Sequence, residues 1–117
     1  MNIRVGTDIV DIARVDESLL KFGNKFLDRF LSENEIKIAK KNETIAGFWA
    51  SKEAISKALG CGIGKELSFK DIEIRKNNKN MPYFKLNSSN FDIIDSSLSI
   101  SHDGGFAIAV VVIVLKS

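Results

Sequence analysis

An α+β fold, with helices packed on a mainly antiparallel sheet, is predicted by three features of this 117-residue chain. Apolar residues recur at steps of three and four between Ile12 and Leu31. Apolar–polar alternation takes over after Phe69, and the longest apolar run follows a Gly-Gly turn. At 44% apolar residues the chain can build one continuous core, so residues 1–117 read as one domain.

Ile3, Val5, Ile9 and Val10, around Gly6 and Thr7, predict a mostly buried first strand that ends near Asp8 to Asp11. Ile12, Val15, Leu19, Phe22, Phe26 and Phe30 then form one helical stripe, which Gly23 is placed to divide into two short helices. Ser32-Glu33-Asn34-Glu35 has the Ser-x-x-Glu form in which two side chains satisfy the free amides of a helix start, so a helix restarts there. Asn42 to Leu59, rich in Ala, Ile and Lys, predicts the main helix, stopped by Gly60 and followed by a flexible turn at Gly62 and Gly64. Strands are predicted over Phe69-Lys-Asp-Ile-Glu-Ile-Arg and Tyr83-Phe-Lys-Leu, joined by a turn at Asn77 to Asn80. Leu98-Ser-Ile-Ser, a Gly104-Gly105 turn and the run from Phe106 complete a sheet on which the helices pack.

Composition removes several function classes. Seventeen Lys and Arg against fifteen Asp and Glu leave a net charge of +2, which gives no general attraction for nucleic acid. One Cys and one His allow neither an internal disulfide nor a structural zinc site built from those residues, and a reducing cytoplasm is the expected setting. Asp8 precedes any long apolar run, unlike a secretory leader, and the 10 apolar residues from Phe106 to Leu115 fall short of the roughly 20 a spanning helix needs; a soluble protein off the membrane is expected.

Chemistry concentrates on the main helix, where Glu53, Ser56, Lys57 and Gly60 share one face at i, i+3, i+4 and i+7. By spacing alone Glu53 and Lys57 make an ordinary surface pair. The neighbouring small residues Ala46, Gly47, Ala50 and Ala54 let another backbone come close. If that backbone is the first strand, Asp8 approaches Glu53, and two carboxylates with water suit Mg²⁺. His102, the one histidine, sits where a strand meets a tight turn and reads either as a hydrogen-bonded structural residue or as a base or phosphate contact. The glycines around Cys61 follow a helix rather than precede one, so they do not form a phosphate loop, and no base accompanies the thiol. Arg14, Ser18, Lys21 and Lys25 recur at i, i+4, i+7 and i+11 as a basic ridge. It reads as a solvated face or as a dock for an acidic protein.

Taken in order, Gly6-Thr-Asp8-Ile-Val, Trp49-Ala-Ser-Lys-Glu53-Ala-Ile-Ser-Lys57-Ala and Ser99-Ile-Ser-His102 resemble the holo-acyl-carrier-protein synthases, small bacterial phosphopantetheinyl transferases. Arg29-Phe-Leu-Ser-Glu-Asn-Glu and Leu67-Ser-Phe-Lys-Asp-Ile-Glu extend the likeness over nearly the whole chain. The resemblance implies the 4′-phosphopantetheinyl transferase-like fold. It also implies Mg-dependent transfer of 4′-phosphopantetheine from coenzyme A to a serine of acyl carrier protein, in support of fatty acid biosynthesis. Adenosine 3′,5′-bisphosphate is the product left behind.

Carried over by motif, Asp8 and Glu53 would hold the metal and Lys57 would contact pyrophosphate oxygens. Ser56, Gly60, Gly62 and Pro82 would lie along the nucleotide. His102 would approach the pantetheine phosphate across a subunit boundary of a homotrimer. The serine proton has two competing acceptors, a metal-bound water and His102. Arg14, Lys21, Phe22 and Lys25 would meet the acidic carrier protein. Two departures stand out: Phe48 where many relatives carry Arg, and Asn80-Met81-Pro82 in place of Gly-Lys-Pro, with Lys79 or Lys85 as replacement cations for the adenosine 3′-phosphate.

Overall fold

The computed structural model describes residues 1–88 and 90–116, in which one leading strand is followed by four α-helices, a 3₁₀ turn and then four strands. Strand β1 (Asn2–Asp11) leads into α1 (Ile12–Phe22) and α2 (Asn24–Phe30), separated by Gly23 at φ 55°, a left-handed value that glycine adopts at no steric cost. Helix α3 (Glu33–Ile38) starts with the predicted capping box: Ser32 Oγ accepts from the Glu35 amide at 3.2 Å and Glu35 Oε1 accepts from the Ser32 amide at 2.8 Å. The main helix α4 (Asn42–Leu59) ends at Gly60, φ 83°, as its sequence predicts.

Strands β2 (Ile72–Lys76) and β3 (Pro82–Leu86) pair as a two-stranded antiparallel sheet. Strands β4 (Ile93–Asp103) and β5 (Phe106–Leu115) join β1 in a three-stranded antiparallel sheet of order β1-β5-β4. The helices therefore meet two sheets rather than the single one expected. Phe69–Asp71 is also a 3₁₀ turn and not the start of a strand: the Asp71 carboxylate accepts from the Ser68 amide at 2.9 Å and bends the chain before β2 begins.

Helix α4 lies on the inner face of the three-stranded sheet, where Ala107, Ala109, Val111 and Ile113 of β5 are fully buried. Small residues set the separation. A Cβ added to Gly6 would stand 1.9 Å from the Ala54 carbonyl oxygen, and one on Gly47 would stand 2.8 Å from Ile100 Cγ2. The helix backbone thus comes down directly onto β1 two residues before Asp8.

The first strand departs from its expected burial. Ile3, Val5 and Ile9 are about 60% exposed or more on the outer face of an edge strand, while the inner face carries Arg4, Gly6 and Asp8. The usual alternation is reversed because the inner face must admit α4 and present a carboxylate. Val112 and Val110 of β5 pair with Val5 and Thr7, and with Phe106 and Ile108 they extend the outer face into an open apolar patch.

Candidate active site

The inner-face register of β1 directs Asp8 toward α4, and α4 brings Glu53 to the same place. Both carboxylates line a cleft of about 370 Å³, together with Ile9, Val10, Asp11, Arg14, Val15, Ser18, Phe26 and Trp49. Asp11 is occupied, since its Oδ1 caps α1 by accepting from the Ala13 amide at 3.0 Å. Asp8 and Glu53 remain as the pair without a backbone task.

The Glu53 carboxyl is pushed above the ordinary carboxylate range, chiefly by burial and then by the nearby Asp8 charge, with Lys57 opposing. A carboxyl raised in the folded state favours folding below its unfolded pKa, and that advantage is lost as pH rises through the folded value. Glu53→Gln is therefore expected to raise the thermal midpoint at neutral pH, with the gain shrinking as pH falls from the raised value to the normal glutamate range and absent below it. Thermal melts of both proteins across that range check the sign, and a Gln variant of lower stability at pH 7 would contradict it.

Lys57 does not pair with Glu53 as its i+4 spacing suggests. Its Nζ reaches across to β1, donating to Asp8 Oδ1 at 2.9 Å and to the Thr7 carbonyl at 3.2 Å. The bridge is half exposed at the lysine end, so its stabilisation is small, about 0–1 kcal/mol, and the ammonium is free to move to another anion.

Two carboxylate side chains, one of them held above the usual carboxylate range by burial and then by the other's charge, form a donor set suited to a hard divalent ion. No group of three or more His, Cys, Asp or Glu side chains able to hold a metal occurs among the described residues, so an ion at this pair would take its other ligands from water or substrate oxygens. That is the usual manner of Mg²⁺, which keeps several waters and binds through one or two carboxylates and phosphates.

The remaining predicted residues fall into three places. Ser56 is buried, with Oγ donating to the Glu53 carbonyl at 2.7 Å, and the Gly62 amide donates to the Ser56 carbonyl at 3.2 Å, so this segment shapes the end of α4 beside Gly60. His102 and Pro82 line a second cleft of about 210 Å³ with Phe48, Asn80, Thr44, Glu43, Ile100 and Lys76, apart from the carboxylates. The lysine in that cleft is Lys76, while Lys85 lines a different groove and Lys79 lies exposed in the turn. Arg14 and Ser18 stand at the rim of the carboxylate cleft, and the exposed Lys21, Phe22 and Lys25 continue from it over α1 and α2. Phe22 thus leaves the apolar stripe, whose buried members are Val15, Phe26 and Phe30.

One buried constellation leaves almost no trace in the sequence pattern. Lys52 and Glu35 form a fully buried ion pair at 2.8 Å, and burial lowers the lysine pKa against the opposing pull of Glu35. Their separation of 17 residues hides the pairing. The only signal was a lysine on the apolar side of α4.

Residues 4–111 match the family model described as the 4′-phosphopantetheinyl transferase superfamily. A holo-[acyl-carrier-protein] synthase of Nautilia profundicola is 57% identical over 110 residues, covering 93% of this chain and 97% of that protein. The chain belongs to the holo-[acyl-carrier-protein] synthase family. It is accordingly a transferase of the phosphopantetheinyl class. Among solved members, the Helicobacter pylori synthase in complex with coenzyme A shares 53% identity at a TM-score of 0.89, covering 94% of this chain and 99% of that one. A Bacillus anthracis synthase, solved in complex with CoA (3′,5′-ADP), shares 42% at 0.81, with 94% of each chain covered. No described helix of this family member is long and apolar enough to cross a membrane.

Proposed function

We propose that this transferase moves 4′-phosphopantetheine from coenzyme A to a serine of apo acyl carrier protein at the Asp8–Glu53 cleft, with Mg²⁺ held by those two carboxylates. The observation that carries the reading is the convergence of Asp8, from β1, and Glu53, from α4, on one cleft whose rim begins a basic ridge. Bound there, the divalent ion would neutralise charge on the pyrophosphate of the donor. Lys57, released from Asp8, adds a point charge to the phosphate oxygens. The serine Oγ bonds to the phosphorus that carries pantetheine while the bond to the adenosine-side phosphate breaks. The serine proton passes to water or to His102, and adenosine 3′,5′-bisphosphate departs as the leaving group.

The neighbouring protomer supplies His102. Within one chain that imidazole and the carboxylates line separate clefts, and the open apolar face of β1 and β5 supports burial between three copies. Val110→Lys and Val112→Asp on that face are expected to leave monomers and to abolish transfer. Light scattering beside an activity assay checks this, and an active monomer would refute the shared site. The acidic carrier docks on Arg14, Lys21 and Lys25 with Phe22 as its apolar anchor, and the holo carrier then serves fatty acid synthesis in the cytoplasm. Arg14→Glu with Lys21→Glu should raise KM for the carrier about tenfold or more while leaving KM for coenzyme A unchanged. Unaltered carrier kinetics would remove the ridge from the reaction.

Intact-mass analysis of apo carrier protein mixed with the enzyme, coenzyme A and Mg²⁺ tests the whole reading. A carrier heavier by one phosphopantetheine supports transfer. Coenzyme A consumed beside unmodified carrier indicates hydrolysis, and nothing consumed indicates a binding protein; either result overturns it.

A further inference from the structure

Lys52 belongs to the same helical stretch as Glu53, yet nothing in the transfer reaction uses it. Consecutive residues leave a helix about 100° apart, so Glu53 enters the cleft while Lys52 points into the core. Its Nζ spends all three donors there: on the Phe30 carbonyl at 2.6 Å, Glu35 Oε1 at 2.8 Å and the Phe69 carbonyl at 2.9 Å. Glu35 passes the connection on, with Oε2 accepting from the Ile74 amide at 2.8 Å. The end of α2, helix α3, the 3₁₀ turn and β2 thus converge on one ammonium.

Stability alone does not account for this arrangement. A buried ion pair replaced by apolar groups of similar volume is often neutral or stabilising, because the desolvation of both charges offsets their attraction. What the pair does hold is geometry. The two carbonyls bound by Lys52 belong to Phe30 and Phe69, and those rings flank Trp49 at centroid distances of 4.8 and 4.7 Å. Trp49 in turn stacks on Phe26 at 6.1 Å, and both rings line the carboxylate cleft. Trp49 is also four residues before Glu53 and so lies beside it on the helix surface.

We propose that Lys52 is a positioning residue: by fixing the Phe30 and Phe69 backbones it sets the Phe30–Trp49–Phe69 stack, and through Trp49 the wall against which Glu53 stands. The inference rests on this cleft being the reaction site. It assigns Lys52 no contact with substrate.

Trp49 is the one tryptophan in the chain, so its near-ultraviolet circular dichroism and emission report the wall directly. The test is the full-length double variant Lys52→Met with Glu35→Gln, which leaves no unpaired buried charge and keeps an acceptor oxygen for one of the two amides, Ser32 or Ile74. The variant is expected to fold, to change the Trp49 signals, and to lose roughly tenfold to a hundredfold in kcat with KM for coenzyme A within about threefold. A folded variant with wild-type Trp49 signals, or one with altered signals and wild-type kcat, overturns the proposal. Should the double variant not fold, Phe69→Leu takes one ring from the stack while leaving the ion pair, and it must move both readouts in the same direction; unchanged readouts overturn the proposal equally. If the unmodified chain transfers nothing, it is the functional reading that has failed, and the Trp49 signals of these variants then decide the clamp by themselves.

Discussion

Glu53→Gln and Asp8→Asn are each expected to lower carrier-protein modification by about 10²–10³-fold or more, the range seen when one preorganised electrostatic group is taken from a reacting centre. Neither change disturbs packing: Glu53 and Asp8 face the cleft, and each replacement keeps the shape of the side chain. Both variants should therefore retain the wild-type circular dichroism, which separates lost chemistry from lost structure. The amides also differ from the acids in a second respect, because they hold a divalent ion poorly. Titration with Mn²⁺, followed by its paramagnetic effect on water, should show weakened binding in both variants. Near-normal turnover in either one would exclude that carboxylate from the reaction.

Gly6→Ala is expected to have an effect of similar size for a different reason. The added methyl would meet the Ala54 carbonyl carbon at 2.8 Å as well as its oxygen, and the Ala58 Cβ at 3.0 Å. Backbone cannot turn aside as a flexible side chain can, so β1 has to lift away from α4. Overpacking of this kind costs about 1–3 kcal/mol. The lift also carries Asp8 away from Glu53, and a misplacement of about 1 Å at a reacting centre can cost 10²-fold in rate. Denaturant unfolding and the intact-mass assay measure the two losses separately. Gly64→Ala is the control, since a Cβ there meets nothing within 4 Å and should change neither quantity. If Gly6→Ala matched the wild type in both, close approach of strand and helix would not be what seats the carboxylates.

Much of this architecture is legible in the residues because it is local. Helix α4 begins and ends where its composition and Gly60 say, the break at Gly23 falls where the stripe allows it, and the Ser32 box forms as written. Contacts between distant segments are what local patterns do not carry. The spacing of Glu53 and Lys57 suggests a partnership along one helix, whereas Lys57 reaches a strand residue 49 positions earlier. Asp71 turns the chain through a side-chain bond that competes with the alternation around it. The approach of Asp8 to Glu53 follows from Gly6 and the small residues of α4 only once the register of β1 is known. Lys52 with Glu35 is least legible of all, since charged residues are read as surface until a structure buries them.

The open side of β1 and β5 carries a consequence for how such a chain behaves at different concentrations. Residues such as Ala109 and Val111 hold each copy together, while their neighbours Ile108, Val110 and Val112 meet water. In the proposed trimer, association through that face would favour the native form by mass action, and the melting temperature would climb with the amount of protein present. Dilution of such a trimer would act as a mild denaturant.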